Sequence, residues 1–292
     1  MSQNERTTHG SKPAIKVGLI GAEIQASKSP ALHEREASAH GLDYSYSLID
    51  LAVRKCGAEA LPAILQEVED QGFAGVNVTF PVKQAIIEHL TELSPEAQSL
   101  GAVNTVVLRD GKRIGHNTDW YGFHESFRLN FPNVARGCAL LLGAGGAGSA
   151  VAHAALSLGV EKLLIHDIDQ GRATELVTRL NKEFEAERAI VSPDIAEAMS
   201  AADGLIHATP TGMAKFPGLP IDGELLQPRH WVADIVYMPL VTPLIACARA
   251  IGCPVLDGGA MVVYQAVGAL KLFAGIDADP DRMRSHFAEL VG

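Results

Sequence analysis

The 292-residue chain is poor in several features that would settle its class at once. It has four cysteines, Cys56, Cys138, Cys247 and Cys253, with no C-x-x-C pair among them. A disulfide framework is therefore not expected, and reduced, mostly buried thiols are. The eleven histidines show no H-E-x-x-H or comparable ligand spacing, so no metal is expected. Basic residues are too few and too scattered for a nucleic-acid surface: 24 Lys and Arg face 34 Asp and Glu, a net charge of −10 with no basic block. No apolar run approaches the roughly 20 residues that span a bilayer, so no membrane partner is expected. The polar opening Met1–Lys12 lacks the apolar core of a signal peptide, and residues 1–13 read as a disordered N-terminal extension. A cytoplasmic location is the expectation. Low-complexity segments and short-period repeats are also lacking.

The remainder describes a globular α/β chain. With 47% hydrophobic and 20% charged residues it can bury an ample core, and its length suits two domains of ordinary size. In the first half, strands are predicted at Ile15–Ile20, Tyr44–Ile49 and Phe73–Thr79, with helices at Ala31–His40 and Gly57–Gln71 between them. That βαβαβ order predicts a mainly parallel sheet covered by helices. Short helices near Lys83–His89 and Pro95–Leu100 precede two runs, Thr105–Leu108 and Arg113–His116. Asp110-Gly111 joins those runs and predicts a hairpin.

Mid-chain, the apolar run from Cys138 stops at Gly143-Ala-Gly-Gly-Ala-Gly148 and then turns helix-friendly. The spacing Gly143-x-Gly145-x-x-Gly148 follows a predicted strand (Ala139–Leu142) and opens a predicted helix (Gly146–Leu158). Asp167 ends the next apolar run, nineteen positions after Gly148. This is a dinucleotide fingerprint in its required context. Glycine permits the sharp turn and the close approach of a pyrophosphate, which the helix N-terminus attracts. A carboxylate at Asp167 accepts from ribose hydroxyls and repels a 2′-phosphate, and Ile168 offers no cation, so NAD is favoured over NADP. Arg172 is the one nearby cation. Further strands are predicted at Leu163–His166, Gly204–Ala208, Trp231–Ile235 and Pro254–Leu256, with helices at Arg172–Phe184 and Thr242–Ile251. Two last helices, about Val262–Ala274 and Asp281–Leu290, could return to the first half.

Four polar clusters lie at predicted strand ends of the first half: Ser27-Lys-Ser-Pro-Ala-Leu-His33, Asn77-Val-Thr-Phe-Pro-Val-Lys83, Gly101-Ala-Val-Asn-Thr105 and Gly115-His-Asn-Thr-Asp-Trp120. Together with the glycine cluster, His207-Ala-Thr-Pro-Thr-Gly-Met213, Asp234-Ile-Val-Tyr-Met-Pro-Leu240 and Asp257-Gly-Gly-Ala-Met-Val-Val-Tyr-Gln265, they resemble, in order over about residues 15–290, the shikimate/quinate dehydrogenase family. Within it, the acidic Asp167-Ile168-Asp169 run is most like the NAD-dependent quinate/shikimate branch.

The resemblance implies a two-domain α/β fold. A substrate-binding domain (14–124 and 258–292), closed by returning C-terminal helices, would flank a Rossmann NAD-binding domain (125–257), with hinges near 122–130 and 257–259. It implies Lys83 as the catalytic lysine and Asp119 as its partner on the reacting hydroxyl. Ser27 and Ser29 would bind a carboxylate, and Thr79, Asn104, Tyr237 and Gln265 the rest of the substrate. Gly143, Ala144, Gly145, Gly146, Ala147, Gly148, Asp167, Arg172, Thr209 and Gly258 would line the cofactor site. The implied reaction is NAD-dependent interconversion of shikimate and 3-dehydroshikimate, with quinate and 3-dehydroquinate as a second pair.

Taken singly, the residues have plainer readings. Ser27 and Ser29 would cap the helix after Pro30, Asp119 would cap the helix through Phe123, and Lys83 would be a solvated lysine. Two functional alternatives also stand: a dehydrogenase for a modified, for example amino-bearing, shikimate-like acid, and a non-catalytic NAD-binding sensor. No heptad seam bears on assembly, and a homodimer stays open.

Overall fold

Two six-stranded sheets organise the computed structural model, which describes residues 14–291. The extension expected over residues 1–13 lies outside the described residues. The first half runs β1 (Ile15–Gly21), α1 (Ser29–Ala39), β2 (Tyr44–Asp50), α2 (Leu51–Arg54), α3 (Leu61–Asp70), β3 (Phe73–Val78), β4 (Glu92–Leu93), α4 (Pro95–Leu100), β5 (Thr105–Arg109), β6 (Lys112–His116) and α5 (Thr118–Asn130). Its sheet order is β2-β1-β3-β5-β6-β4. The first three strands are parallel, and β5 runs antiparallel to both β3 and β6. Asp110 and Gly111 both take left-handed φ values, +53° and +72°, which is the two-residue hairpin that their side chains favour.

The second half runs β7 (Cys138–Leu142), α6 (Gly146–Ser157), β8 (Lys162–His166), α7 (Gln170–Glu183), β9 (Ala189–Val191), α8 (Ile195–Ala201), β10 (Gly204–His207), β11 (Trp231–Asp234), α9 (Pro243–Ile251), β12 (Val255–Leu256), α10 (Gly258–Ala274) and α11 (Pro280–Val291). Its strand order, β12-β11-β10-β7-β8-β9, is parallel throughout. Read from the other edge it is 3-2-1-4-5-6, the doubly wound order that places a nucleotide where the winding reverses, above β7 and β10.

The last helices pack on the first sheet. Val263, Ala266, Ala269, Leu270 and Phe273 of α10 and Met283 and Phe287 of α11 share one core with Val17, Leu19, Leu32 and Val107. Buried Glu36 on α1 ties α11 down, accepting from Arg282 Nε (2.8 Å) and Nη2 (2.6 Å) and from the Asp279 N–H (2.8 Å). Helix α5 runs unbroken past residue 124 and packs on both α10 and α6. Its Phe127 ring meets Trp231 edge-on at 4.9 Å within the second core.

Several element ends differ from expectation, for local reasons. Helix α10 starts at Gly258, not Val262. The glycines there mark close approach, because a Cβ on Gly258 would lie 2.4 Å from the Ile235 carbonyl oxygen, and Asp257 caps the helix through the Gly259 N–H (3.1 Å). The turn after Lys83 is 3₁₀ over Ala85–His89 and leaves Lys83 outside it. Strands β4 and β9 and helices α2 and α8 were not expected. Each is too short to show a period.

Candidate active site

The clusters converge where the carboxyl ends of β1 and β3 meet the start of antiparallel β5. Lys83, in the loop after β3, donates to Asp119 Oδ2 at 2.6 Å. The lysine side chain is 21% exposed and the aspartate 9%, so the pair is sheltered but reachable. Asp119 is not the cap of α5. Asn117 is, accepting from the Trp120 N–H at 3.1 Å, and Asn117 also donates to the Ala102 carbonyl at 2.9 Å. The Asp119 carboxylate, in the first turn where the helix dipole favours it, is left to Lys83.

A buried amide network continues from there. Asn104 Oδ1 accepts from the Thr118 N–H (2.6 Å), and its Nδ2 donates to Thr118 Oγ1 (3.0 Å) and Gln265 Oε1 (3.4 Å). Gln265 arrives on α10, which α5 approaches closely: a Cβ on Gly122 would lie 2.9 Å from the Gln265 nitrogen. Asn77 Nδ2 donates to Thr105 Oγ1 (2.9 Å), and its Oδ1 accepts from the Tyr46 hydroxyl (2.9 Å). Ser29 sits beside that phenol. Tyr46 and Asn77 were not among the expected site residues. Tyr46 gave no sequence signal beyond a β-strand aromatic, whereas Asn77 stood visibly at the head of the Lys83 cluster.

Neither serine is a helix cap. Residue 28 holds the cap position of α1 without a side-chain bond, while Ser27 Oγ accepts from the Ser29 N–H (3.3 Å). The Ser27 hydroxyl keeps its own proton to donate at the mouth of β1, and the Ser29 hydroxyl lies against the Tyr46 phenol. Thr79 lies just past β3, its methyl against Gly21, where a Cβ would come within 2.3 Å. Tyr237, from the loop after β11, brings the second half to this place. Burial and then the nearby Asp119 carboxylate push its phenol above the ordinary range.

The nucleotide half carries a cradle. Helix α6 begins at the glycine cluster with Gly145 at its cap position and no side-chain cap, whereas α4, α5 and α7–α10 are all capped by Ser, Thr, Asn or Asp. Cβ atoms on Gly145 or Gly146 would meet nothing within 4 Å, so the backbone there is open to a ligand. Gly148 is different: its Cβ would lie 2.0 Å from the Gly143 oxygen, so it is needed for the turn itself. An uncapped helix start under an open glycine surface suits a dinucleotide pyrophosphate. Asp167 Oδ2 accepts from the Ala144 N–H at 2.7 Å and its Oδ1 from the Asp169 N–H at 2.8 Å, which holds the carboxylate beside the turn. Arg172 pairs with Asp169 (3.4 Å), not Asp167, and Ile168 is 99% exposed. Thr209 lies against Gly143, and Ala147 occupies the first turn of α6.

The halves also touch around the cleft. Lys215 pairs with Glu23 across its rim (2.5 Å), and Ser149 on α6 reaches the Leu100 carbonyl (3.5 Å). Among the described residues no helix is long and apolar enough to cross a membrane, and no group of three or more His, Cys, Asp or Glu is placed to hold a metal ion.

Comparison with known proteins gives one family, whose members are named with different cofactors. A family model described as "Shikimate dehydrogenase substrate binding domain" matches residues 19–106. The chain is 50% identical over 278 residues to a protein of Streptomyces avermitilis named shikimate dehydrogenase (NADP(+)), covering 94% of this chain and 96% of that one. It is 42% identical over 280 residues to a Corynebacterium efficiens protein named quinate/shikimate dehydrogenase (NAD(+)), covering 95% and 99%. Among solved structures, the quinate dehydrogenase of Corynebacterium glutamicum in complex with NAD superposes with a TM-score of 0.89 at 41% identity, covering 94% of this chain and 99% of that one.

Proposed function

The chain belongs to the shikimate/quinate dehydrogenase family, and from that premise we propose that it oxidises the ring alcohol of shikimate to 3-dehydroshikimate with NAD, quinate being a second substrate. The observation that carries this reading is the Lys83–Asp119 pair, 2.6 Å apart, between the amide network of the first half and Tyr237 of the second. Oxidising a secondary alcohol requires the carbon-bound hydrogen to leave as hydride and the hydroxyl hydrogen as a proton. NAD, when bound, supplies the hydride acceptor.

The chain's own groups do the rest. Ser27 and Ser29 bind the acid's carboxylate. Asn104 and Gln265, already linked to each other, orient ring hydroxyls, and Thr79 and Tyr237 complete the wall. Asp119 holds Lys83 Nζ against the reacting hydroxyl, and Lys83 exchanges its proton. Gly143–Gly148, Thr209 and Gly258 line the cofactor site, with Arg172 at its outer edge.

Support for NAD over NADP comes from Asp167. Its carboxylate stands beside the glycine turn, where a 2′-phosphate would meet like charge, and neither exposed Ile168 nor the paired Arg172 offers compensation there. The experiment is a substrate panel: NAD reduction with shikimate, quinate and an amino-substituted analogue. Turnover of shikimate or quinate supports the reading. Turnover of only the amino-substituted analogue, or of none with NAD still bound, overturns it.

A further inference from the structure

The loop between β1 and α1, which carries both serines, is built on a buried carboxylate that the reaction above does not use. Asp50 ends β2 opposite Gly21, the last residue of β1, and is 3% exposed. Its Oδ1 accepts from the Glu23 N–H (3.0 Å) and from the Ala52 N–H (3.0 Å), the second bond capping α2. Its Oδ2 accepts from the Ile24 N–H (3.0 Å) and from Gln25 Nε2 (3.0 Å). Three consecutive loop residues are thus held by one side chain of the neighbouring strand. A carboxylate suits the task, because both oxygens only accept and each here meets two donors.

Glu23 shows what the carboxylate holds in place. Its φ is +56°, in the left-handed region that is unfavourable for a residue with a Cβ. The bonds from its own N–H and from that of Ile24 to Asp50 offset this cost. The left-handed residue leads the chain into a turn closed by the Ser27 N–H on the Ile24 carbonyl (2.9 Å), and the Ser29 N–H then bonds Ser27 Oγ (3.3 Å). On the other side the Ala22 N–H donates to the Phe80 carbonyl (3.0 Å), and a Cβ on Gly21 would lie 2.3 Å from the Thr79 methyl. The loop is therefore seated between Asp50 and the segment that leads to Lys83, with Ile24 buried in the core beneath it.

We propose that Asp50 is a positioning residue for recognition of the acid: by holding Glu23 left-handed it sets the 24–27 turn, and so the place of Ser27 and Ser29 for the substrate's carboxylate. This rests on the carboxylate-binding role proposed above for the two serines. Asp50 acts through backbone N–H groups of the loop and not on the acid itself. The Glu23 side chain has no part in it, because its partner Lys215 and its own carboxylate are both exposed, and such pairs contribute little.

The test compares Asp50→Ser with the wild type in steady-state kinetics and NAD binding. Serine still caps α2 but is one bond shorter and releases the loop N–H groups. The KM for shikimate should rise about tenfold, while kcat and the dissociation constant for NAD stay within about twofold. The KM for the analogue with hydroxymethyl in place of the carboxylate should likewise stay within about twofold. Adding Glu23→Gly removes the left-handed cost and should recover at least about threefold of the loss, whereas Glu23→Gly alone should leave the KM for shikimate within about twofold of wild type. An unchanged KM for shikimate in Asp50→Ser, an equal rise for acid and alcohol, or no recovery with Glu23→Gly would overturn the proposal. If Asp50→Ser fails to fold, Asp50→Asn, which keeps the Oδ1 contacts and sets an NH2 group against the Ile24 N–H, is read by the same comparison. Absence of shikimate and quinate turnover in the wild type would refute the proposed reaction. The hold of Asp50 on the loop then stays readable as faster amide exchange over residues 22–29 in Asp50→Ser, and unchanged exchange would refute it.

Discussion

Burial of His33 makes the stability of the fold fall in acid. The histidine sits on α1, 2% exposed, with Nδ1 3.2 Å from the Tyr44 hydroxyl and its ring 4.9 Å from that of Tyr46. Burial lowers its pKa from 6.5 to about 3. The unfolded chain therefore takes up a proton near pH 6.5 that the folded chain refuses until about pH 3, so acid favours unfolding. The contribution is fully present above pH 6.5 and is lost progressively below it. At pH 5 the unfolded state lies about 1.5 pH units below its pKa, which makes the loss about 2 kcal/mol relative to pH 8. His116, His230 and His286 are also lowered by burial and act in the same direction. A His33→Phe variant removes only the one titration. Losing the Tyr44 hydrogen bond costs it about 1 kcal/mol at every pH, which shifts the curve without tilting it. Urea unfolding at pH 8 and pH 5 should show the wild type losing about 2 kcal/mol more than the variant. Equal losses would refute the argument, because His33 would then take up its proton without unfolding.

Other outcomes follow from the site. Lys83→Ala should cut turnover by about 10²–10⁴-fold while the dissociation constant for NAD, followed by fluorescence titration, stays within about twofold. Gly148→Ala must push a methyl into the Gly143 oxygen at 2.0 Å, so it should abolish nucleotide-induced stabilisation in thermal melts and lower the melting point of the free protein. Burial alone would raise the Glu36 pKa, but the bonds from Arg282 and the Asp279 N–H outweigh it and hold the carboxyl below its ordinary range. Glu36→Gln should accordingly speed amide exchange in α11 with little change in α6.

Much of the fold was readable because its signals are local and strong. Apolar runs bounded by turns marked the strands of both sheets, Asp110-Gly111 marked the hairpin, and the glycine cluster marked the start of α6. What escaped was short or masked. Strand β9 has three residues, and the Gly258-Gly259 pair fell outside the helix expected from about Val262 although it lets α10 begin against the Ile235 carbonyl. The candidate site was legible only as scattered clusters, since nothing local says that Asn117 takes the cap of α5 and leaves Asp119 to Lys83. Long-range placement decides that, through the Asn117–Ala102 bond and the Lys83 loop. The buried partnership of His207 with Asp234 spans 27 positions and two strands, and no spacing rule reveals it.

The cofactor reading is tested by the rate of shikimate oxidation with NAD and NADP side by side, expressed as kcat/KM for each cofactor. With Asp167 beside the glycine turn and Arg172 paired with Asp169, the expected preference for NAD is at least about tenfold. Asp167→Ser should narrow that ratio chiefly through the KM for NADP. A preference for NADP in the wild type, or an unchanged ratio in Asp167→Ser, would contradict that reading.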